Sequence, residues 1–238
     1  MKTMSALTST EYCQQKTASF IGTVLIIMAI VAGYSYSFSL NTLWARGNAA
    51  QTVINIQQSP ILFRTGFIGW IVIFLLDVLS AWAMYHFFKP VSKNIATLNA
   101  LLRLSYSCIL AVAIGALAVA LLLTGNGTSL SLHNQLVLLS IETFNSIWTA
   151  GLLLFGIHLG CFAYLQFKTV QIPAFLAALT TIAAVCYTGI SLTKIITPQY
   201  SNEIASMETV LSLPMALGEL AIAIWLIVKS KTFTQRQV

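Results

Sequence analysis

The sequence predicts an all-α, polytopic membrane protein that forms a six-helix transmembrane bundle with both termini in the cytoplasm. Its 238 residues are 58% hydrophobic and only 8% charged, whereas a soluble domain has about 25% charged residues. Six segments are apolar over about 20 residues, the length that a membrane-spanning helix needs. We therefore predict a single transmembrane domain over residues 19–229, between a cytoplasmic N-terminal segment (1–18) and a cytoplasmic tail (230–238).

The first three predicted spans have recognisable starts and stops. They cover about residues 19–40, 61–88 and 94–123. The second begins where Ser59 can cap a helix and Pro60 can occupy its first turn, and Pro90 ends it because proline cannot continue a helix. Ser92 starts the third span, and a Gly-Asn-Gly turn at 125–127 ends it.

The last three predicted spans cover about residues 144–167, 172–195 and 208–229. Pro173 occupies the first turn of the fifth. Pro214 lies inside the sixth, shortly before Glu219, and a broken helix beside a carboxylate is typical of transporter sites. Residues 129–142 are amphipathic at helical spacing, so they form either an interfacial helix or an outward extension of the fourth span.

The distribution of basic residues predicts the orientation and the partner. The chain has 12 Lys and Arg against 6 Asp and Glu. In the six-span topology most basic residues outside the spans fall on one side, namely Lys2, Lys16, Lys89, Lys93, Lys168, Lys229, Lys231 and Arg236. Cytoplasmic loops carry such an excess. The predicted partner is the lipid bilayer, and nucleic acid is not expected because no basic patch is interleaved with aromatic residues.

Four ionisable residues lie inside the apolar segments, at nearly the same depth. With a rise of 1.5 Å per residue, Asp77 is about 18 Å from the cytoplasmic end of its span, and Arg103, His158 and Glu219 are each about 15 Å from theirs. Charge in hydrocarbon is costly, so such residues usually face one another or a wet cavity. We predict an Asp77–Arg103 ion pair, with His158 and Glu219 completing a network. A weaker alternative pairs Arg103 with Glu219.

Helical spacing predicts which other residues share this interior. Asn99, Tyr106 and Ser107 lie one turn from Arg103 on one stripe of the third span, and Tyr187 lies on a polar face of the fifth. We expect all four to line a buried polar cluster that binds a ligand. On the fourth span, the G-x-x-x-G pattern of Gly156 and Gly160 predicts close helix packing.

Several motifs resemble a known family. They are the segments 77–85 (DVLSAWAMY), 88–91 (FKPV), 102–106 (LRLSY), 144–148 (FNSIW), 154–159 (LFGIHL), 172–173 (IP) and 218–229 (GELAIAIWLIVK). In combination they resemble a bacterial integral membrane family that is catalogued as domain of unknown function (DUF4386). The resemblance spans about residues 64–229. It implies a multi-pass protein of the bacterial cytoplasmic (inner) membrane with a helical bundle, and it implies no established activity.

The polar centre favours a non-enzymatic protein that binds a small ligand or relays protons, as a transporter or sensor does. Asp77 and Glu219 would supply the acidic groups, Arg103 the counter-charge and His158 a proton acceptor. No catalytic residue, metal ligand or cofactor is predicted. One alternative is a metal-assisted intramembrane hydrolase acting on lipid, and another is a structural or accessory subunit. The sequence leaves the oligomeric state open.

Overall fold

The computed structural model describes residues 9–124 and 131–232. Within these residues all regular structure is helical, and six helices are long and apolar enough to cross a membrane. The all-α, six-span prediction is confirmed. The α-helices are α1 (Ser9–Ala32), α2 (Asn41–Leu43), α3 (Ala49–Gln58), α4 (Pro60–Phe88), α5 (Lys93–Thr124), α6 (Ser131–Lys168), α7 (Ala174–Ile196) and α8 (Ser201–Lys229). The predicted turn at 125–127 lies outside the described residues, as do parts of both predicted terminal segments.

The first span contains a stretch of π-helix. α1 continues through the π-helical Gly33–Leu40 into α2, so the span runs over Gln14–Leu43. Ser35 and Ser39 of this stretch are buried against α4, where a side chain at Gly66 or Gly69 would collide with them. Two glycines on α4 therefore admit the wider π-helical turn, which is a recurrent feature of functional sites.

The short helix α3 was not predicted. The Asn48 side chain caps it by accepting a hydrogen bond from the Gln51 backbone N–H at 3.0 Å. Val53 and Ile56 on its inner face are buried, and the helix packs against α6. The connection between the first two spans is thus a helix that covers the end of the bundle, rather than an extended loop.

Two alternatives left open by the sequence are resolved. The amphipathic residues after Ser131 extend α6, which reaches 38 residues, so this part of the segment 129–142 is not a separate interfacial helix. α8 runs unbroken through Pro214, so the proline does not divide the sixth span.

The six spans form a closed ring. α1 packs on α4, and each later span packs on the next one, through α5, α6 and α7 to α8. α8 returns to α1, where a side chain at Gly22 would collide with the Ala223 carbonyl oxygen. At one end, which we call the lysine-rich end, the spans begin or finish near Lys16, Lys89, Lys93, Lys168 and Lys229. That this end faces the cytoplasm stays a prediction.

Candidate functional site

Arg103 lies at the centre of the ring and connects four spans. Its Nη2 is 2.8 Å from Oδ1 of Asp77 on α4, and both side chains are fully buried. Its Nη1 is 3.1 Å from Nε2 of His158 on α6. Nη2 also lies 3.7 Å from the sulfur of Met28 on α1. The structure therefore contains the predicted Asp77–Arg103 pair and joins His158 to it through the arginine.

The hydrogen bonds of His158 define its protonation state. Nδ1 is 3.0 Å from the backbone carbonyl oxygen of Asn99, and a carbonyl can only accept, so Nδ1 carries a proton. Nε2 faces a guanidinium N–H of Arg103, which can only donate. His158 is therefore the neutral Nδ1–H tautomer, and its one lone pair is occupied. The predicted role of His158 as a proton acceptor does not fit this geometry.

The cluster formed by Asp77, Asn99, Arg103 and His158 keeps unused hydrogen-bonding capacity. Asp77 Oδ2, Asn99 Oδ1 and Arg103 Nε have no hydrogen-bond partner within the described chain. The contact from Asp77 Oδ1 to Arg103 is short, yet it is an ionic contact rather than an aligned hydrogen bond. Buried polar atoms are nearly always satisfied by protein or water. These atoms therefore mark where a water or a polar solute can bind.

Glu219 lies near this cluster but does not join it. Its residue is partly buried, and its carboxylate lies within electrostatic range of Arg103 and Asp77. It makes no hydrogen bond or ion pair to another described residue. The predicted network therefore includes His158 and omits Glu219. The alternative Arg103–Glu219 pair is not formed, and Arg103 pairs with Asp77 instead.

The backbone beside Glu219 is held by a second polar group of contacts. Thr180 on α7 donates a hydrogen bond to the Gly218 carbonyl oxygen at 3.2 Å. Gln166 on α6 donates to the same threonine hydroxyl at 3.1 Å, and both side chains are fully buried. A side chain at Gly218 would collide with Ala183 of α7. These contacts fix the segment of α8 that carries the carboxylate.

Aromatic rings form a layer above the cluster, towards the end opposite the lysines. The Trp148 indole donates a hydrogen bond to the Tyr106 hydroxyl at 3.2 Å. Ring centroids are 4.8 Å apart for Tyr106 and Phe155, 5.2 Å for Phe155 and Tyr187, and 5.0 Å for Trp70 and Trp148. Tyr106 and Tyr187 both lie within electrostatic range of Glu219. The aromatic layer therefore lies over the ion pair and within electrostatic range of the Glu219 carboxylate.

Most of this aromatic layer was missed by the sequence reasoning, although a signal exists. Phe144, Trp148, Gly151, Phe155 and His158 are separated by alternating intervals of four and three residues along α6. This is the spacing of a single helix face. Reading the ring side chains together with the histidine would have placed them in the interior.

The remaining predicted site residues play more local roles. Asn99 points its amide nitrogen towards the sulfur of Met84, at 4.0 Å. The Ser107 hydroxyl donates to the Arg103 carbonyl oxygen at 2.9 Å and so stays within its own helix. Gly156 packs closely on Thr188 of α7, whereas a side chain at Gly160 would meet nothing within 4 Å. Close packing is thus present at Gly156 alone of the predicted glycine pair.

A comparison with known families is consistent with this architecture. The profile of the family described as "Domain of unknown function (DUF4386)" matches residues 20–230. The chain belongs to this DUF4386 family. A relative from Archaeoglobus fulgidus, named "Uncharacterized protein", is 29% identical over 168 residues, which cover 71% of this chain and 85% of the relative. No solved structure matches the DUF4386 chain.

The geometry bears on the hydrolase alternative for this DUF4386 protein. Among the described residues, no three His, Cys, Asp or Glu side chains are grouped so that they could hold a metal ion. Asp77 and His158 both contact Arg103, and a guanidinium between two potential ligands repels a metal cation. Asp77 and His158, as the structure places them, therefore do not fit a shared metal site.

Proposed function

We propose that this DUF4386 protein binds a small cation or a proton at Glu219, at the centre of its six-helix ring, and acts as a transporter or sensor. One observation carries the proposal. Of the charged side chains at the centre of the described structure, Glu219 alone lacks a counter-ion. The charges of Asp77 and Arg103 balance each other at 2.8 Å.

The charge balance of the centre determines the kind of ligand. Asp77 and Arg103 sum to zero, and the neutral tautomer of His158 adds no charge. An ionised Glu219 leaves one negative charge in a membrane interior, where an unpaired charge is costly. A proton on the carboxylate or a bound cation removes that cost. An anionic solute would increase it, so anions are disfavoured.

The surroundings of Glu219 suit an organic cation. The rings of Tyr106, Phe155 and Tyr187 form a continuous run of aromatic contacts, and a cation over an aromatic face gains about 0.5–2 kcal/mol. The Asp77–Arg103–His158 contacts hold the helices in register around this site, so in this proposal they position the ligand and do not carry protons.

Binding of a cation at Glu219 is tested on purified full-length protein by thermal unfolding. Tetramethylammonium chloride and sodium chloride are titrated into the wild type, Glu219→Gln and the control Glu203→Gln, whose residue is exposed on α8. We expect a rise of a few degrees in the wild type and the control, because a ligand at ten times its Kd stabilises by about 1.4 kcal/mol. Glu219→Gln should lose this rise.

Protonation of Glu219 is tested by infrared spectroscopy of the same proteins. A protonated Glu219 gives the carbonyl stretch of a carboxylic acid, which should be present in the wild type and in Glu203→Gln and missing in Glu219→Gln. Equal cation responses in all three proteins, together with no acid band that depends on Glu219, would overturn the proposal.

A further inference from the structure

A groove lies on the outer surface of the ring between α6 and α7, away from the polar centre. Its volume is about 640 Å³, within the range of about 300–1,000 Å³ that is typical of small-molecule sites. Its walls include Ile157 and Tyr164 on α6 and Val185 on α7. These three side chains are strongly exposed. Both helices are membrane spans, so the groove opens towards lipid.

Two glycines create the depression. A side chain at Gly160 on α6 or at Gly189 on α7 would meet nothing within 4 Å, and both residues line the groove. Gly156 lies on its floor and brings the α6 and α7 backbones together at Thr188. The helices thus touch at the floor, while the missing side chains at Gly160 and Gly189 leave the surface above it open.

One end of the groove is basic. Tyr164 lines the groove, and Nζ of Lys168, the last residue of α6, lies 5.6 Å from the Tyr164 ring centroid. Ile95 also lines the groove, two residues after Lys93 starts α5. Of the 6 acidic residues in the chain, only Glu11 falls in the segments at this lysine-rich end. An anionic group is therefore favoured there.

We infer that this groove binds an anionic phospholipid, with one acyl chain between α6 and α7 and the headgroup phosphate beside Lys168. The apolar walls match the acyl chain, and the lysine-rich end matches the headgroup at the level where the spans leave the membrane. Basic residues near an anionic membrane surface contribute about 1 kcal/mol each. The site is separate from Glu219, so it does not depend on the proposed function.

Charge disfavours a second copy of the chain as the occupant. In a dimer with its two-fold axis along the membrane normal, equivalent residues of the two copies lie at the same depth. The Lys168 and Lys93 side chains of both copies would then gather at one end of the interface. Like charges repel there, whereas a lipid phosphate neutralises them.

The test is native mass spectrometry of the full-length protein with added phosphatidylglycerol or phosphatidylcholine of matched acyl chains. We expect the wild type to retain one phosphatidylglycerol in preference to phosphatidylcholine. Gly160→Leu and Gly189→Leu fill the groove and should lose retention of both lipids. Lys168→Gln should reduce the preference for phosphatidylglycerol about fivefold, which corresponds to about 1 kcal/mol.

Gly115→Leu is the matched control, because Gly115 on α5 is also exposed and also has open space around it. It should retain lipid like the wild type. Equal retention by Gly160→Leu and Gly115→Leu would overturn the inference, and so would the absence of a headgroup preference. A dimer that Gly160→Leu dissociates would show that a second copy, and not a lipid, occupies the groove.

Discussion

The two sides of the polar centre differ in how their charges are satisfied. On the side of α4, α5 and α6, Arg103 contacts Asp77 at 2.8 Å and His158 at 3.1 Å, and all three side chains are fully buried. On the side of α7 and α8, Glu219 is partly buried and makes no such contact with any residue that the structure describes. The first arrangement can hold helices together without a ligand. In the proposed function, the second is completed by a proton or a cation.

The largest expected effect comes from removing the charge at the middle of the paired side. Arg103→Leu leaves the buried carboxylate of Asp77 without its counter-ion, and breaking a buried pair in this way costs about 3–5 kcal/mol. We expect a large fall in the melting temperature or a failure to fold, measured by thermal unfolding in detergent.

Lys194→Gln is the control for that experiment. Lys194 contacts Glu208 at 2.8 Å, but the two side chains are 21% and 23% exposed, and exposed ion pairs contribute about 0–1 kcal/mol. Similar falls in the melting temperature of Arg103→Leu and Lys194→Gln would contradict the conclusion that the paired side holds the ring together.

An intermediate effect is expected from removing the acceptor of Arg103. His158→Phe keeps a ring of similar shape but leaves the buried Nη1 group without its partner, at a cost of about 1–3 kcal/mol. The free energy of unfolding measures this loss. His86→Phe is the control, because His86 is exposed near the end of α4 and its replacement should change stability by less than about 0.5 kcal/mol. Wild-type stability in His158→Phe would contradict the hydrogen-bond assignment.

The smallest expected effect on stability is on the unpaired side. Glu219→Gln removes a charge that has no partner in the described chain, so stability should be unchanged or slightly higher in the absence of cations. Unfolding in buffer without added cation measures this directly. A loss comparable with that of His158→Phe would mean that Glu219 is a structural group, and the contrast between the two sides would disappear.

The sequence predicted the Asp77–Arg103 pair and its link to His158, but it did not predict that Glu219 stays outside these contacts. Counting residues from the lysine-rich end gives the position of each group along the membrane normal. It does not give the rotation of each helix or the order of helices around the ring. Asp77, Arg103 and Glu219 therefore share a predicted level, while the choice between Asp77 and Glu219 as the partner of Arg103 depends on how the spans are arranged around the ring. Asp77 and Arg103 are in contact because their helices, α4 and α5, are neighbours, whereas Glu219 lies on α8.

Features without a strong local signal were missed. The π-helical stretch Gly33–Leu40 depends on Gly66 and Gly69 of another helix, so no periodicity within the first span predicts it. α3 did have a signal, because Asn48 caps it and its apolar residues Val53 and Ile56 are three apart. Its ten residues are too few to span a membrane, and a search for long apolar segments passes over them.

The closure of the ring by its first and last spans has a consequence for how the protein matures. The surface of α1 around Gly22 finds its partner, Ala223, about 200 residues later in the chain. A polypeptide leaves the ribosome from its N-terminus, so this surface faces lipid until α8 has been inserted. Glu219 arrives on the same final helix. A chain that lacks α8 would therefore expose the interior of the ring, together with the surface of α1 around Gly22, sideways to the bilayer.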